Sequence, residues 1–416
     1  MGAYLIRGGR SLCGTVTIHG AKNSVLPILA ATLVTKSRCV LHNCPPISDV
    51  DDALAIARSL GCVAERRGTT VEIDTYPANR TEIPAALMCR MRAAVIFLGA
   101  LLARFSEARL SPPGGCALGE RPIDLHLRGL SLMGAECRTD GQTLCCAAKA
   151  LRGCTVALPF PSVGATENLL LAALACRGET VLCNAAREPE IDDLIGFLQA
   201  CGAEISGAGT SVLRIRGGRE LHGAEYTVMP DRMEAATYLA AAAATRGELT
   251  LHRVCPAHLT AVTQVLRRGG CELAEQENEL RLRCGRFSAV SPIRTAPYDG
   301  FPTDAQAPIM ALMATAEGVS VFEETIFSDR FRHVPALCAM GAHIRAARRH
   351  AVVRGVRELH GAAVEATDLR GGAAMVIAAL AANGQSLVTR TEHMQRGYAE
   401  LVSTLRGCGA EIKEGQ

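Results

Sequence analysis

The 416-residue chain contains no tryptophan, and aromatic residues make up only 4% of it. So little ring surface leaves almost nothing on which to stack bases. Charge of one sign is equally scarce, with 44 Lys and Arg against 41 Asp and Glu, a net of +3. Neither nucleic acid nor an anionic membrane surface is expected as a partner. Long apolar runs are missing too. The longest, around residues 93–103, spans about ten residues where a membrane helix needs roughly twenty. The opening MGAYLIRGGRSLCG has two Arg with no apolar core behind them. No signal peptide is expected, and the chain is expected to stay in the cytoplasm.

The familiar catalytic signatures are absent as well. There is no Walker-type phosphate loop, no Rossmann glycine fingerprint, no Gly-x-Ser-x-Gly elbow and no zincin helix. The 11 His and 18 Cys show no metal-ligand spacing and no Cys-x-x-Cys pair. No metal or cofactor is expected, and no obligate protein partner is evident. Disulfide scaffolds are usually short secreted chains. About nine in ten of the cysteines are therefore expected to be reduced, small, buried hydrophobes.

What the sequence does contain is a repeat. Hydrophobic residues at 49% and charged residues at 20% describe a globular chain of two or three domains. The phrases SLGCVAE, LMGAEC, ACGAEI, RGGCEL, AMGAHI and GCGAEI align Gly61, Gly134, Gly202, Gly270, Gly341 and Gly409, separated by 73, 68, 68, 71 and 68 residues. Each glycine reads as a helix stop in the left-handed conformation, with a strand after it. Upstream of each lies an Ala/Leu-rich helix with almost no polar face, such as NLLLAALACRGETVLC, which predicts burial. Each copy reads helix, strand, helix, Gly, strand, with further short strands such as 70–74 and 212–216. Six copies of about 70 residues divide most naturally into two domains of three. These are residues 22–229, and 1–21 together with 230–416. The first 21 residues read as a strand-rich lead-in able to pair with the last copy. Buried helices inside and sheets outside give an α/β class with a cleft between domains.

Several phrases break the repeat. HGAKNSVLP places Lys22 and Asn23 at the start of a buried helix, where an anion is favoured, although Asn23 could equally be an N-cap. LSPPGGCALGERPIDLH is rich in Pro and Gly and so reads as a loop. It carries Cys116 close to Arg121, where a thiol gains thiolate character and can serve as acid, base or nucleophile. In FPSVGATENLLLAA, Ser162, Val163 and Gly164 open a helix that could cradle a phosphate or simply be capped by Ser162 or Thr166. Thr303 and Asp304 start another apolar helix. Asp304 is either its cap or a base. Asp231 and Glu234, at the analogous place one repeat earlier, read as structural. Arg330, Arg370 and Arg396 stand at repeat junctions, suited to carboxylate or phosphate recognition if they converge.

Together GAKNSVLPILAATL, PGGCALGERPIDLH, PSVGATENLLLAA, GFPTDAQA, ETIFSDRFRHVPAL, MGAHI, DLRGGAAM and RGY closely resemble the UDP-N-acetylglucosamine 1-carboxyvinyltransferases, over about residues 2–413. The resemblance implies two inverse α/β barrel-like domains of three repeated units each, with the active site in the interdomain cleft. It implies transfer of the enolpyruvyl group of phosphoenolpyruvate to the 3′-hydroxyl of UDP-N-acetylglucosamine, releasing phosphate, through a tetrahedral ketal. This is the first committed step of peptidoglycan precursor synthesis. On that resemblance Cys116 is the general acid, toward the phosphoenolpyruvate methylene or in product release, and the thiol alkylated by fosfomycin, and Asp304 takes the sugar hydroxyl proton. Lys22, Asn23, Arg121 and Arg396 hold phosphoenolpyruvate. Asn23, Arg92, Arg121, Pro122, Ile123, Asp124, Leu125, Ser162, Val163, Gly164, Thr303, Asp304 and Ile326 contact the UDP-sugar. Arg330, Asp368 and Arg370 match further cleft residues.

The chain departs from the family pattern at Phe160-Pro161, where some members carry a Lys, and at Asp299 and Gln395. Competing readings are a 5-enolpyruvylshikimate-3-phosphate synthase-like transferase and a non-catalytic UDP-sugar-binding paralogue. Lys22-Asn23 and the Cys116 loop argue against the first, and the retained polar set argues against the second.

Overall fold

The six helices without a polar face are Lys22–Thr35, Phe97–Phe105, Val163–Ala173, Arg232–Ala244, Thr303–Met313 and Leu369–Ala381. The computed structural model describes residues 2–112, 114 and 122–415. In it these helices are almost wholly buried. Several of their threonine hydroxyls bond backward within their own helix and so cost little when buried. Thr32 Oγ1 donates to the Leu29 carbonyl at 2.8 Å, and Thr237 Oγ1 to the Met233 carbonyl at 2.9 Å. None of the described helices is long and apolar enough to cross a membrane.

Contacts divide the chain into two units. One is drawn from Gly20–Met229. The other joins the segment ending at His19 to the segment beginning at Pro230. In the first unit Phe97–Phe105 packs against both Lys22–Thr35 and Val163–Ala173. In the second, Arg232–Ala244, Thr303–Met313 and Leu369–Ala381 pack on one another pairwise. Small buried Ala side chains are frequent in these helices, Ala240–Ala243 among them, and small side chains let helix axes approach.

Around the helices stand six four-stranded sheets of one design, each with one parallel pair and two antiparallel pairs. In the third repeat, Thr155–Ala157 runs parallel to Glu179–Cys183, which pairs antiparallel with Val212–Arg216, and that strand with Glu204–Ser206. Three sheets take in a strand from a distant part of the chain. Glu225–Thr227, at the end of the third repeat, lies parallel to Arg38–His42 of the first. Cys13–Thr17 lies parallel to Glu248–His252 of the fourth repeat. Ala3–Arg7 is inserted between Gln385–Thr389 and Glu411–Gly415, antiparallel to both, and completes the last sheet.

The six aligned glycines each follow a helix end, with φ between +92° and +106°. A Cβ at Gly409 would find its nearest neighbour, the Ser11 carbonyl oxygen, at 4.0 Å. The cost of a side chain there is therefore conformational rather than steric. Gly409→Ala is expected to lower stability by about 1–2 kcal/mol. A reduced urea midpoint at unchanged slope would register it.

All 17 described cysteines are free thiols, but only nine are buried. Cys13, Cys89 and Cys338 are exposed and five more are half-buried, so the expectation that about nine in ten are buried is corrected. These three sit on strand faces or helix ends that turn outward, where a thiol is tolerated but stabilises nothing.

Candidate active site

In the first unit Lys22 is the first residue of its helix. A cation there opposes the positive end of the helix dipole. The side chain is nonetheless buried, with Nζ 2.7 Å from Oδ2 of Asp49, itself in the first turn of Ser48–Ser59. Asp49 offsets the charge, and the ammonium and helix terminus together still favour an anion. The N-cap of this helix is Ala21, without a side-chain cap, and Asn23 is exposed. The capping reading of Asn23 is therefore corrected. Its side chain is available to a ligand.

Ser162 does cap its helix, accepting the Ala165 N–H at 3.3 Å. Val163 and Gly164 follow, half-buried. Beneath Gly164 lies His126, close enough that a Cβ on the glycine would come within 3.2 Å of Cε1. Asn168 accepts the Gly99 N–H on Oδ1 at 2.6 Å, which turns its amide nitrogen toward His126 Nδ1 at 2.9 Å. His126 Nδ1 is thus an acceptor and the ring proton sits on Nε2. Burial, reinforced by the charge of Arg92, pushes the His126 pKa down to about 4. A neutral imidazole is locked under the Ser162–Gly164 turn.

Arg92 opens the short turn Arg92–Ile96 and is half-buried. Asp124 lies in the first turn of Asp124–Leu132, where an acid suits the helix dipole. Asp124 and Pro122 are exposed, Ile123 and Leu125 half-buried. Cys116 and Arg121 lie outside the described residues. Glu167 escaped sequence reasoning. It is buried in the same helix as Gly164, and burial first, then the charges of Glu190 and Glu188, hold its carboxyl well above the usual range.

In the second unit three predicted residues converge. Arg330 Nη2 donates to Oδ1 of Asp304 at 2.8 Å. Arg370 donates to Oδ2 through Nε at 3.2 Å and Nη2 at 3.1 Å. The two guanidiniums are only 2% and 4% exposed, while the Asp304 side chain is 29% exposed. Charge-assisted bonds on both oxygens fix the carboxylate and favour its ionised form. The N-cap of the helix is Pro302, without a side-chain cap, so Asp304 is not the cap proposed from the sequence. Asp231 and Asp368 are caps. Asp231 accepts the Met233 and Glu234 N–H groups at 2.7 and 3.0 Å, and Asp368 those of Arg370 and Gly371 at 3.0 and 3.1 Å.

Glu324 is a second residue the sequence did not reveal. It is buried, and its Oε2 accepts from the Thr303 hydroxyl at 3.0 Å. Its Oε1 takes the backbone N–H of Ile326 at 2.9 Å, so one carboxylate fixes both Thr303 and Ile326. Arg396 follows the short helix Glu392–Gln395 and is half-buried. Glu324 stands in the ETIFSDRF phrase and could have been flagged only by its place there. Among the described residues no group of three or more His, Cys, Asp and Glu could hold a metal ion.

Comparison with known proteins adds the chemical context. Residues 6–405 match the family described as EPSP synthase (3-phosphoshikimate 1-carboxyvinyltransferase). The chain is 47% identical over 413 residues to UDP-N-acetylglucosamine 1-carboxyvinyltransferase 2 of Caldanaerobacter subterraneus subsp. tengcongensis, covering 99% of both chains. It is 46% identical to UDP-N-acetylglucosamine 1-carboxyvinyltransferase of Oleidesulfovibrio alaskensis, again with 99% of both covered. Among solved structures it is similar to the enolpyruvyl transferase NikO from Streptomyces tendae. The TM-score is 0.90 at 27% identity, over 99% of this chain and 98% of that one.

Proposed function

The chain belongs to the UDP-N-acetylglucosamine 1-carboxyvinyltransferases, within the EPSP synthase family, and from that membership we propose how its residues carry the reaction. The substrates are phosphoenolpyruvate and UDP-N-acetylglucosamine. The sugar 3′-hydroxyl oxygen adds to C2 of phosphoenolpyruvate while the C3 methylene takes a proton, giving a phospho-ketal with a new methyl group. That methyl then loses a proton as the C2–O bond to phosphate breaks. The products are the enolpyruvyl ether and inorganic phosphate.

Asp304 takes the hydroxyl proton. A carboxylate held by two guanidiniums is a weak base, so it acts best while the C–O bond forms and the hydroxyl becomes acidic. Cys116 supplies the proton to the methylene. Lys22, Asn23, Arg121 and Arg396 face the phosphate and carboxylate of phosphoenolpyruvate, where developing negative charge is stabilised. Arg92, the 121–125 run, Ser162, Val163, Gly164, Thr303 and Ile326 hold the UDP-sugar. Arg330 and Arg370 orient Asp304, and Asp368 holds the helix start that carries Arg370. The observation that supports the assignment most strongly is the partly exposed Asp304 clamped by two buried arginines.

The test is phosphate release from phosphoenolpyruvate, with UDP-N-acetylglucosamine or shikimate 3-phosphate as acceptor. Release is expected with the nucleotide sugar alone. Release with shikimate 3-phosphate alone would transfer the assignment to that acceptor. No release with either would leave a binding protein.

A further inference from the structure

Tyr398 has no role in the reading above, yet its hydroxyl bonds the guanidinium of Arg370 on the side that does not reach Asp304. Thr237 has one hydroxyl proton, and it goes to the Met233 carbonyl at 2.9 Å. Thr237 Oγ1, 2.8 Å from the Tyr398 hydroxyl, is therefore the acceptor in that pair. The phenol donates to Thr237, and its oxygen is left to accept from Arg370 Nη1 at 3.0 Å. The Arg370 guanidinium also lies over the Tyr398 ring, Cζ 5.3 Å from the centroid. Thr237, Arg370 and Tyr398 are all buried. Water is not at hand to replace a lost partner, and an orphaned buried donor is costly.

We propose that Tyr398, oriented by Thr237, is a positioning residue that fixes the free edge of the Arg370 guanidinium so that its other edge stays on Asp304. The proposal rests on the transferase reading. Burial by itself would lower the Arg370 pKa, but the charges of Tyr398, Asp304 and Asp231 outweigh it. A guanidinium released by Tyr398 is held on one edge only, and a fork that tilts on that edge leaves Asp304 misaimed. A small misplacement of a base lowers turnover more than it lowers binding.

Tyr398→Phe keeps the ring and removes only the hydroxyl. With both substrates, kcat is expected to fall about tenfold while each KM stays within about twofold. Thr237→Val should give a similar loss. The double variant should be no slower than the worse single one, because both act on one bond chain. Independently of turnover, solvent exchange of the Arg370 Nε–H, followed by 15N NMR, should quicken in Tyr398→Phe. Wild-type kcat together with unchanged Nε–H exchange in Tyr398→Phe would overturn the proposal. So would losses that simply add in the double variant, or a kcat loss matched by a proportionate loss of melting temperature and a rise in both KM values. Should wild-type protein show no transfer to UDP-N-acetylglucosamine, the function reading fails, and the exchange measurement alone decides whether Tyr398 holds Arg370.

Discussion

Asp304→Asn is expected to lose turnover by about 10²–10⁴-fold, the usual contribution of a positioned acid or base. The substitution keeps the shape and removes the charge. One amide oxygen can still accept from Arg330 or Arg370, but the amide NH₂ must then face the donors of the other. Both guanidiniums are almost fully buried. A buried cation without its counter-charge costs up to about 3–5 kcal/mol, less here because Asp304 is partly exposed. The variant should therefore melt earlier as well as turn over slowly. Assayed well below its melting temperature, it should retain UDP-sugar binding by calorimetry, since the contacts proposed for 121–125 and 162–164 do not involve Asp304. Near-normal turnover would remove Asp304 from the base role. Turnover and binding lost in parallel would make the carboxylate an anchor for the sugar rather than its base.

The repeat was legible because two of its marks are physical necessities. A helix that stops on a left-handed residue favours Gly, and the six glycines adopt that conformation. A helix apolar all round must be covered, and the six are. What the chain could not announce was which distant strand closes each unit. The alternation in Glu225–Thr227 and Cys13–Thr17 is satisfied by any neighbour, and only the assembled sheets select Arg38–His42 and Glu248–His252. The same limit governs the site. Asp304 at a helix start read equally as cap or base. The choice between them rests on Arg330 and Arg370, 26 and 66 residues away in sequence, which no local pattern connects to it. Glu324, Tyr398 and His126 stayed hidden because a buried polar residue acquires meaning only from the groups it faces.

Fosfomycin pretreatment is expected to abolish phosphate release, with peptide mapping showing one added adduct, on Cys116. The reagent is an epoxide carrying a phosphonate. A thiolate sulfur attacks an epoxide carbon, the C–O bond opens, and the alkoxide takes a proton. Selectivity among 18 thiols needs two properties at once, a reactive sulfur and an anion site beside it. Most buried thiols fail the first. Burial pushes Cys44 and Cys62 up to about 12 and Cys176 up to about 11. Cys39, lowered to about 6 by a hydrogen bond from Cys201, is reactive in principle but fully buried, closed to an anionic reagent. Cys137 is the informative competitor. It is half-buried, faces Cys146 across the strand pair, and is lowered by that thiol's hydrogen bond. A small neutral alkylating agent should label it. Fosfomycin should not, because Cys137 stands on a strand next to Arg138 rather than beside the phosphate site proposed at Lys22. Phosphoenolpyruvate should then protect Cys116 from fosfomycin and leave Cys137 labelling by the neutral agent unchanged. Adducts on Cys137, or release that survives full alkylation of Cys116, would separate the reactive thiol from the phosphate site and remove Cys116 from the acid role.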